Sequence, residues 1–296
     1  MAALRDQTRV YDRLDWWELE SWCGSDAFVA LSTTQPKSLV AALLAVPIEI
    51  ADIHRLASAC SSAAWLRWCA VADGQSPSAL LRALMAETES RLRNANVREL
   101  WCACEPHDWL ATNLRDLGFK RRDELVTMLR VSRLSRKSVD WVLPWHTTLR
   151  VLHPALIDAH LLAQIHALDT AAFEPPWRYS DYVLRRAFLH SCYVTVAEQD
   201  GRIVGYQCAM HDGNPSDLIA HITRLVVHPL AQRSGVGTAL FGDAVGQLLS
   251  MGASEITLNT PASNVATQRL YKRFGFVPLA ERVVVVCKDL AATARD

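Results

Sequence analysis

The sequence lacks a net charge, because 31 lysine and arginine residues balance 31 aspartate and glutamate residues over 296 positions. This balance gives no global field that would attract nucleic acid or an anionic membrane, so we expect neither as a partner. The longest apolar run, residues 39–48, is too short to cross a bilayer. The first residues carry charges where a secretory signal would need apolar side chains. We therefore expect a soluble, cytoplasmic protein.

The sequence also lacks cysteine spacings that are typical of metal or redox sites. Its eight cysteines include no C-x-x-C pair, and several lie in apolar runs such as LRWCAVA and ELWCAC. This pattern favours reduced cysteines that fill the core, and we expect no metal site. No feature of the sequence specifies an oligomeric state.

Two stretches of the chain share one pattern at a separation of about 156 residues. Residues 97–130 and residues 253–286 both indicate a strand, a polar turn, a short helix, a Gly-Phe pair and another strand. This order also arises by chance in α/β proteins, but the shared Gly-Phe pair and matched apolar positions upstream favour a duplication. We predict two domains, residues 1–138 and 139–296, joined near residues 133–146.

A predicted strand in the second half runs directly into a glycine-containing turn. Residues 222–238 read ITRLVVHPLAQRSGVGT, and residues 238–252 then follow the spacing of an amphipathic helix. No Ser, Thr or Asp stands at the N-cap position, so the first amides of this helix are expected to be free. Free amides and the helix dipole together are typical of an anion site. A plain tight turn that needs glycine for a positive φ is the alternative.

The first half contains a degenerate version of the same turn. It has Ser76, Ala79 and Leu81 where the second half has Gln232, Gly235 and Gly237. Ser76 and Pro77 predict an N-cap and a first helical residue, which would close the helix end. Only the second copy is therefore expected to bind a ligand at its turn.

The segment RLVVHPLAQRSGVGTAL resembles the acetyl-CoA-binding segment of the GNAT superfamily of N-acetyltransferases, whose signature is Q/R-x-x-G-x-G/A after a strand. Residues 258–276, LNTPASNVATQRLYKRFGF, are similar to the second signature of these enzymes. Residues 165–187 are most similar to ribosomal-protein alanine acetyltransferases and their protein N-terminal acetyltransferase relatives. The resemblance implies an α/β (α+β) fold with two GNAT-like domains, each a mixed, mostly antiparallel twisted sheet flanked by helices. It also implies a V-shaped splay in the C-terminal sheet.

The same resemblance implies acetyl-CoA as co-substrate and a primary amine as acceptor, either a peptide N-terminus or a small molecule. The pantetheine arm would lie in the splay and pair with the backbone of Leu225, Val226 and Val227. The remaining contacts to the cofactor are expected from Gln232, Arg233, Ser234, Gly235, Val236, Gly237, Thr238 and Asn264. The acceptor pocket is expected to include Phe173, Glu174, Trp177 and Asn259.

Tyr271 falls on the tyrosine of the second signature and is the candidate general acid for the leaving thiolate. An ordinary core tyrosine is the alternative. For the general base, many relatives carry a glutamate where this chain has Asn259, which cannot accept a proton at neutral pH. Others carry the base on the preceding strand, where this chain has His221. An imidazole with a pKa near ~6.5 predicts a rate that rises through about pH 6 to 7.5.

Several alternatives remain open at this level. His221 is equally consistent with a structural strand histidine, in which case Glu174 or a bound water would serve as base. The first half has Leu114 at the place of Tyr271, so we expect it neither to bind acetyl-CoA nor to catalyse. Its tryptophan-rich composition favours packing or an interface. The chain is predicted to be an active N-acetyltransferase, with an acyl-CoA-binding regulatory or interaction protein as the second hypothesis.

Overall fold

The computed structural model describes residues 9–13, 19–33, 38–49, 61–133, 140–212 and 218–291, together with residues 4 and 56. Contacts divide the chain into two compact units: unit 1 contains residues 1–123 and 283–296, and unit 2 contains residues 124–282. The predicted boundary between residues 138 and 139 lies outside the described residues. The last strand of the first half of the chain belongs to unit 2 from residue 124 onward. The last strand of the second half belongs to unit 1 from residue 283 onward.

Unit 1 consists of a β-sheet, and helices form some of the connections between its strands. Its elements are β1 (Arg9–Asp12), α1 (Leu19–Trp22), β2 (Phe28–Ser32), β3 (Leu39–Pro47), β4 (Ala63–Val71), α2 (Pro77–Asn94), β5 (Glu99–Cys104), α3 (Trp109–Asp116), and the part of β12 (Val277–Asp289) that begins at residue 283. The strand order is β2-β3-β4-β5-β12, and β1 pairs with β4. Among the described strands of this unit, only β4 and β5 form a parallel pair.

The elements of unit 2 are β6 (Lys120–Val131, from residue 124 onward), β7 (Thr147–Val151), α4 (Ala159–Ala172), α5 (Asp181–Leu189), β8 (Tyr193–Gln199), β9 (Arg202–Asp212), β10 (Leu218–Val227), α6 (Val236–Ser250), β11 (Ala253–Pro261) and α7 (Val265–Arg273). In the part of this unit that the structure describes, the strands follow the order β6-β11-β10-β9-β8-β7, and only β10 and β11 are parallel neighbours. The predicted mixed, mostly antiparallel sheet flanked by helices is confirmed.

Two apolar clusters hold helices against the sheet of unit 2. Side chains of α4 and α5 pack on β8 and β9, whereas side chains of α6 and α7 pack mainly on β10 and β11. Gly205 in β9 lets α6 come close, because a Cβ there would lie 2.8 Å from Leu240 Cδ1. The α6 helix begins at Val236, two residues earlier than predicted, so the last residues of the glycine motif form its first turn.

The sheet of unit 2 splays, as predicted, between its two parallel strands. Pairing of β10 with β11 ends at Ile222 and Leu258, although both strands continue. A β-bulge at Thr223 lies where the strands part. Beyond it, β10 pairs with β9 and β11 pairs with β6. We call the resulting gap, which opens at Thr223 and Asn259, the C-terminal fork.

Unit 1 contains the same feature at matching positions. Parallel pairing of β4 with β5 ends at Trp65 and Trp101, and a bulge in β4 falls at Arg67. Arg67 and Thr223 are 223 − 67 = 156 positions apart, which is the separation found in the sequence. The equivalence of bulge and parallel register confirms the duplication. We call the gap between β4 and β5 the N-terminal fork.

The start of α2 corrects one detail of the predicted helix cap. Pro77 is the first helical residue and Ser76 occupies the N-cap position, as expected. The Ser76 hydroxyl, however, makes no capping bond to a helix amide and lies 3.3 Å from Ser78 Oγ. Pro77, which has no amide hydrogen, therefore removes one donor from this helix end.

The described part of the chain has further features that bear on the sequence expectations. Five of its seven free cysteines are buried, which agrees with a packing role. None of its helices has both the length and the apolar character needed to cross a bilayer. Its His, Cys, Asp and Glu side chains form no group of three or more that could hold a metal ion.

Candidate active site

The glycine turn leaves the first amides of α6 uncapped. Gly235 is the N-cap residue, has a φ of 97° and makes no side-chain capping bond. Arg233, two residues earlier, has a φ of 62°. A Cβ at Gly235 would lie 3.3 Å from Pro144 Cγ, so a side chain there is disfavoured by both conformation and space. The free N–H groups of the first helical turn are suited to an anion.

The polar side chains of the turn bind its own backbone. Gln232 Nε2 donates to the carbonyl of Val227 at 3.2 Å, which ties the turn to the end of β10. Ser234 Oγ donates to the carbonyl of Ala231 at 2.7 Å. These bonds fix the shape of the turn and leave its amides as the groups that can contact a ligand.

The end of β10 borders the C-terminal fork. Leu225, Val226 and Val227 pair with β9 on one side only within the described residues. The side chains of Leu225 and Val226 pack into clusters with different helices. A ligand in the fork would therefore meet the backbone of this strand.

Tyr271 lies in the aromatic part of the core between α6 and α7. Its ring centroid is 4.7 Å from that of Phe241 and 6.2 Å from that of Phe276. Burial raises the pKa of the Tyr271 hydroxyl, so the group remains protonated throughout the neutral range. This packing suits a core residue, and the retained proton also suits a general acid.

Asn264 caps α7, because its side chain accepts from the Thr267 amide at 3.2 Å.

The environment of His221 corrects the predicted titration. Burial lowers the pKa of His221 to about 4, so the expected value near 6.5 is wrong. Thr257 Oγ1 lies 2.8 Å from His221 Nδ1 and also donates to the carbonyl of Ala220 at 3.2 Å. In the arrangement in which the hydroxyl donates to that carbonyl, Nδ1 donates to Thr257 and Nε2 keeps its lone pair. His221 is a neutral proton acceptor at physiological pH, but a weak one.

Asn259 shares a face of β11 with Thr257, because the two residues are two positions apart in one strand. Asn259 Oδ1 accepts from Thr127 Oγ1 at 2.9 Å. Thr257 is in register with His221 on β10. The structure thus brings His221, Thr257 and Asn259 together where the fork opens.

The predicted acceptor segment is tied to β10 by Arg224. The guanidinium carbon lies 3.7 Å from the ring centroid of Phe173 and 3.9 Å from that of Tyr179. Arg224 Nη2 donates to the carbonyl of Trp177 at 2.7 Å. Glu174 is exposed, and its carbonyl accepts from the Trp177 amide at 2.9 Å. We call residues 173–179 the acceptor loop.

A buried carboxylate compensates the charge of Arg224. Asp169, on α4, accepts from Arg224 Nε at 2.9 Å and from Nη2 at 2.7 Å. It also accepts from the Tyr206 hydroxyl at 2.5 Å and from the Tyr179 amide at 2.9 Å. Sequence analysis missed this network. The sequence signal for it was one charged residue on an otherwise apolar face of each element, Asp169 near the end of α4 and Arg224 in β10.

Comparisons with known proteins agree with this geometry. Residues 162–276 match the Acetyltransferase (GNAT) family. A protein of Bacillus subtilis (strain 168), named as a candidate [ribosomal protein bS18]-alanine N-acetyltransferase, is 28% identical over 120 residues, covering 38% of this chain and 73% of the relative. The mycothiol acetyltransferase of Acidothermus cellulolyticus is 28% identical over 214 residues, covering 67% of this chain. The match spans 62% of the length of that second relative.

Solved structures share the fold over most of the chain. A GCN5-related N-acetyltransferase from Sphaerobacter thermophilus superposes with a TM-score of 0.58 at 17% identity, covering 92% of this chain and 84% of that one. A tandem GNAT protein from the clavulanic acid biosynthesis pathway gives a TM-score of 0.58 at 16% identity, with 90% and 84% covered. Residues 162–276 of this chain therefore match the GNAT acetyltransferase family, and the fold of these solved structures extends over most of the chain.

Proposed function

We propose that this chain transfers the acetyl group of acetyl-CoA to a primary amine, either a peptide N-terminus or a small molecule. The observation that carries the proposal is the C-terminal fork beside an uncapped glycine turn. A fork that exposes strand backbone suits the amides of a pantetheine arm, and the turn suits a diphosphate. We assign this activity to the C-terminal half, residues 139–296, and regard residues 1–138 as a copy without a cofactor site.

Acetyl-CoA would supply an acetyl thioester, and the protein would supply positioning and proton transfer. The backbone of residues 225–227 would hold the pantetheine, while the amides of residues 233–238 would hold the diphosphate. Asn264 and Gln232 would act mainly by shaping α7 and the turn, since their polar atoms bind the backbone there. Fixing the thioester beside the amine makes the reaction effectively unimolecular.

The chemistry requires a neutral amine and a proton for the leaving thiolate. His221 Nε2 would accept the proton of the attacking amine, directly or through water, with Glu174 or a water as the alternative base. Asn259 would position the amine or that water. Tyr271 would donate its hydroxyl proton to the thiolate as the bond from carbon to sulfur breaks. The amine nitrogen would bond to the acetyl carbon, and the electron pair of the broken bond would leave with sulfur. The step would leave His221 with one more proton and Tyr271 with one fewer, so the total charge is unchanged.

Thiol release from acetyl-CoA, measured with a panel of peptides, amino acids and small amines, tests the proposal. We expect acetyl-CoA-dependent turnover with at least one acceptor class and one acetyl-CoA bound per chain by calorimetric titration. Binding without turnover on any acceptor would support the acyl-CoA-binding regulatory protein instead. Absence of binding would contradict both hypotheses.

We predict that His221→Ala slows turnover about 10²-fold, the low end for a general base, because a base with a pKa of about 4 is weak. Since the lowered pKa keeps the imidazole neutral above about pH 4, His221 should add no limb between pH 6 and 7.5. The pH profile of kcat/KM, measured with a high-pKa amine, checks both points. Thr257→Val is the control that keeps the imidazole but removes its 2.8 Å contact. An unchanged rate in His221→Ala would make the histidine structural.

We predict that Arg224→Lys raises the KM for the acceptor about 10-fold, while acetyl-CoA affinity changes about twofold or less. Lysine keeps the charge that pairs with Asp169, but it cannot make the same two parallel bonds or stack between Phe173 and Tyr179. Steady-state kinetics with the best acceptor measure the effect. Tyr206→Phe is the control, because it removes a bond to Asp169 and leaves the guanidinium in place. A fall in thermal stability with unchanged KM would contradict a positioning role for Arg224.

A further inference from the structure

The first strands of the two halves of the chain, β1 and β7, have different kinds of partner. In unit 2, β7 pairs with β8. In unit 1, β1 pairs with β4, with Arg9 opposite Val71 and Asp12 opposite Trp68. Residues 68–71 are 156 positions before residues 224–227, the stretch of β10 that borders the C-terminal fork. On β10 this stretch pairs with β9 on one side, and its other side faces the C-terminal fork. On β4 the strand β1 occupies the side that corresponds to the fork.

The side chain of Tyr11 closes the N-terminal fork. Its hydroxyl lies 3.3 Å from the carbonyl of Leu66 on β4 and 3.0 Å from the carbonyl of Ala103 on β5. These two residues stand on opposite sides of the gap. Tyr11 is only 5% exposed, and burial raises the pKa of its hydroxyl, which remains a donor. One tyrosine thus binds both strands where they part.

We propose that β1 is an internal ligand, a segment of the chain that fills the N-terminal fork in place of the pantetheine arm of an acyl-CoA. An extended peptide and a pantetheine arm both present amide groups to the exposed backbone of a strand. Because β1 is part of the chain, it occupies the fork at a high effective concentration. This inference rests on the proposed function for the statement that pantetheine occupies the equivalent place in unit 2.

The other residues at the N-terminal fork are consistent with an occupant that undergoes no reaction. Trp65 and Trp101 stand 156 positions before His221 and Thr257, and their ring centroids are 6.0 Å apart. Arg67 lies over the Trp65 ring at 5.5 Å. The start of α2 has Pro77, which lacks an amide hydrogen, and Ala79 at the place of Gly235, so it lacks two features that suit the start of α6 to a diphosphate. Unit 1 keeps the strand-binding property of the fold and has replaced its polar pair.

The test uses the chain that begins at residue 14 and a synthetic peptide of residues 5–13, RDQTRVYDR. We expect the shortened chain to have a lower Tm, to bind one peptide per chain and to regain stability on binding. The full-length chain should bind no peptide. A Tyr11→Phe peptide should bind about fivefold more weakly, the effect of one hydrogen bond. Acetyl-CoA at a concentration that just saturates unit 2 should leave peptide binding unchanged, because the peptide occupies unit 1.

A competition experiment tests whether the N-terminal fork accepts a pantetheine arm. With unit 2 saturated by acetyl-CoA, millimolar S-acetylpantetheine should displace a labelled peptide from the shortened chain. An unchanged Tm, or failure of S-acetylpantetheine to compete, would overturn the proposal. Calorimetric binding of acetyl-CoA to the shortened chain reports separately on unit 2, so failure of the proposed function is distinguishable.

A full-length variant keeps the inference testable if the shortened chain does not fold. Tyr11→Ala should speed amide hydrogen exchange at residues 68–71, because β1 then loses its side-chain anchor in the fork. Tyr11→Phe, which keeps the ring, should have a smaller effect. Equal protection of residues 68–71 in Tyr11→Ala and the wild type would contradict a ligand-like role for β1.

Discussion

Gly235→Glu is expected to abolish binding of acetyl-CoA. The substitution introduces a side chain at a φ of 97°, where its Cβ would stand 3.3 Å from Pro144 Cγ. It also places a negative charge at the N-terminus of α6, where the diphosphate would bind. Both effects oppose the ligand, and either is sufficient to weaken it strongly. Calorimetric titration should show no heat of binding at acetyl-CoA concentrations that saturate the wild type.

Gly246→Glu is the matched control in the same helix. A Cβ at Gly246 meets no atom within 4 Å, and the residue is exposed. The variant adds the same charge two to three turns further along α6, and we expect wild-type affinity for acetyl-CoA. Equal loss of binding in both variants would indicate a general effect on α6, whereas normal binding by Gly235→Glu would exclude the turn as the diphosphate site.

Tyr271→Phe is expected to lower kcat roughly 10²-fold or more, with acetyl-CoA affinity nearly unchanged. The variant keeps the ring that packs at 4.7 Å from Phe241 and removes only the hydroxyl. A proton donated to the leaving thiolate matters in the transition state and not in the ground state, so the loss should fall on kcat. Turnover with saturating acceptor and calorimetric titration of acetyl-CoA measure the two quantities.

The stability of Tyr271→Phe provides its control. If the hydroxyl acts only in catalysis, the Tm should remain close to that of the wild type, because the aromatic packing is preserved. Tyr206→Phe offers a comparison with a buried tyrosine whose hydroxyl binds Asp169. We expect that variant to affect stability more than kcat. A wild-type rate for Tyr271→Phe would return Tyr271 to a packing role.

Local sequence was sufficient to predict the glycine turn and the duplication. Glycine at position 235 has its conformational reason within one turn, and the uncapped start of α6 follows from neighbouring residues. The two forks could be matched because the bulges at Arg67 and Thr223 keep the sequence separation. The glycine turn and the bulges each depend on a few consecutive residues, so local sequence patterns can indicate them.

The titration of His221 could not be predicted in the same way. Its pKa of about 4 results from burial, which depends on the strands and side chains that surround it. Thr257, whose hydroxyl contacts the Nδ1 atom of His221, is 36 positions away in the chain. Nothing in the residues next to His221 encodes that distance or that degree of burial.

The sequence by itself determined the duplication and the glycine turn, because these depend on periodicity, glycine positions and local capping, and its resemblance to the GNAT superfamily implied the type of fold. Only the tertiary structure decided which charges are paired and which fork is filled. Asp169 and Arg224 meet across 55 positions, and Tyr11 reaches Ala103 across 92 positions. Such contacts depend on the register of strands that are distant in the chain, and many registers are compatible with one local pattern.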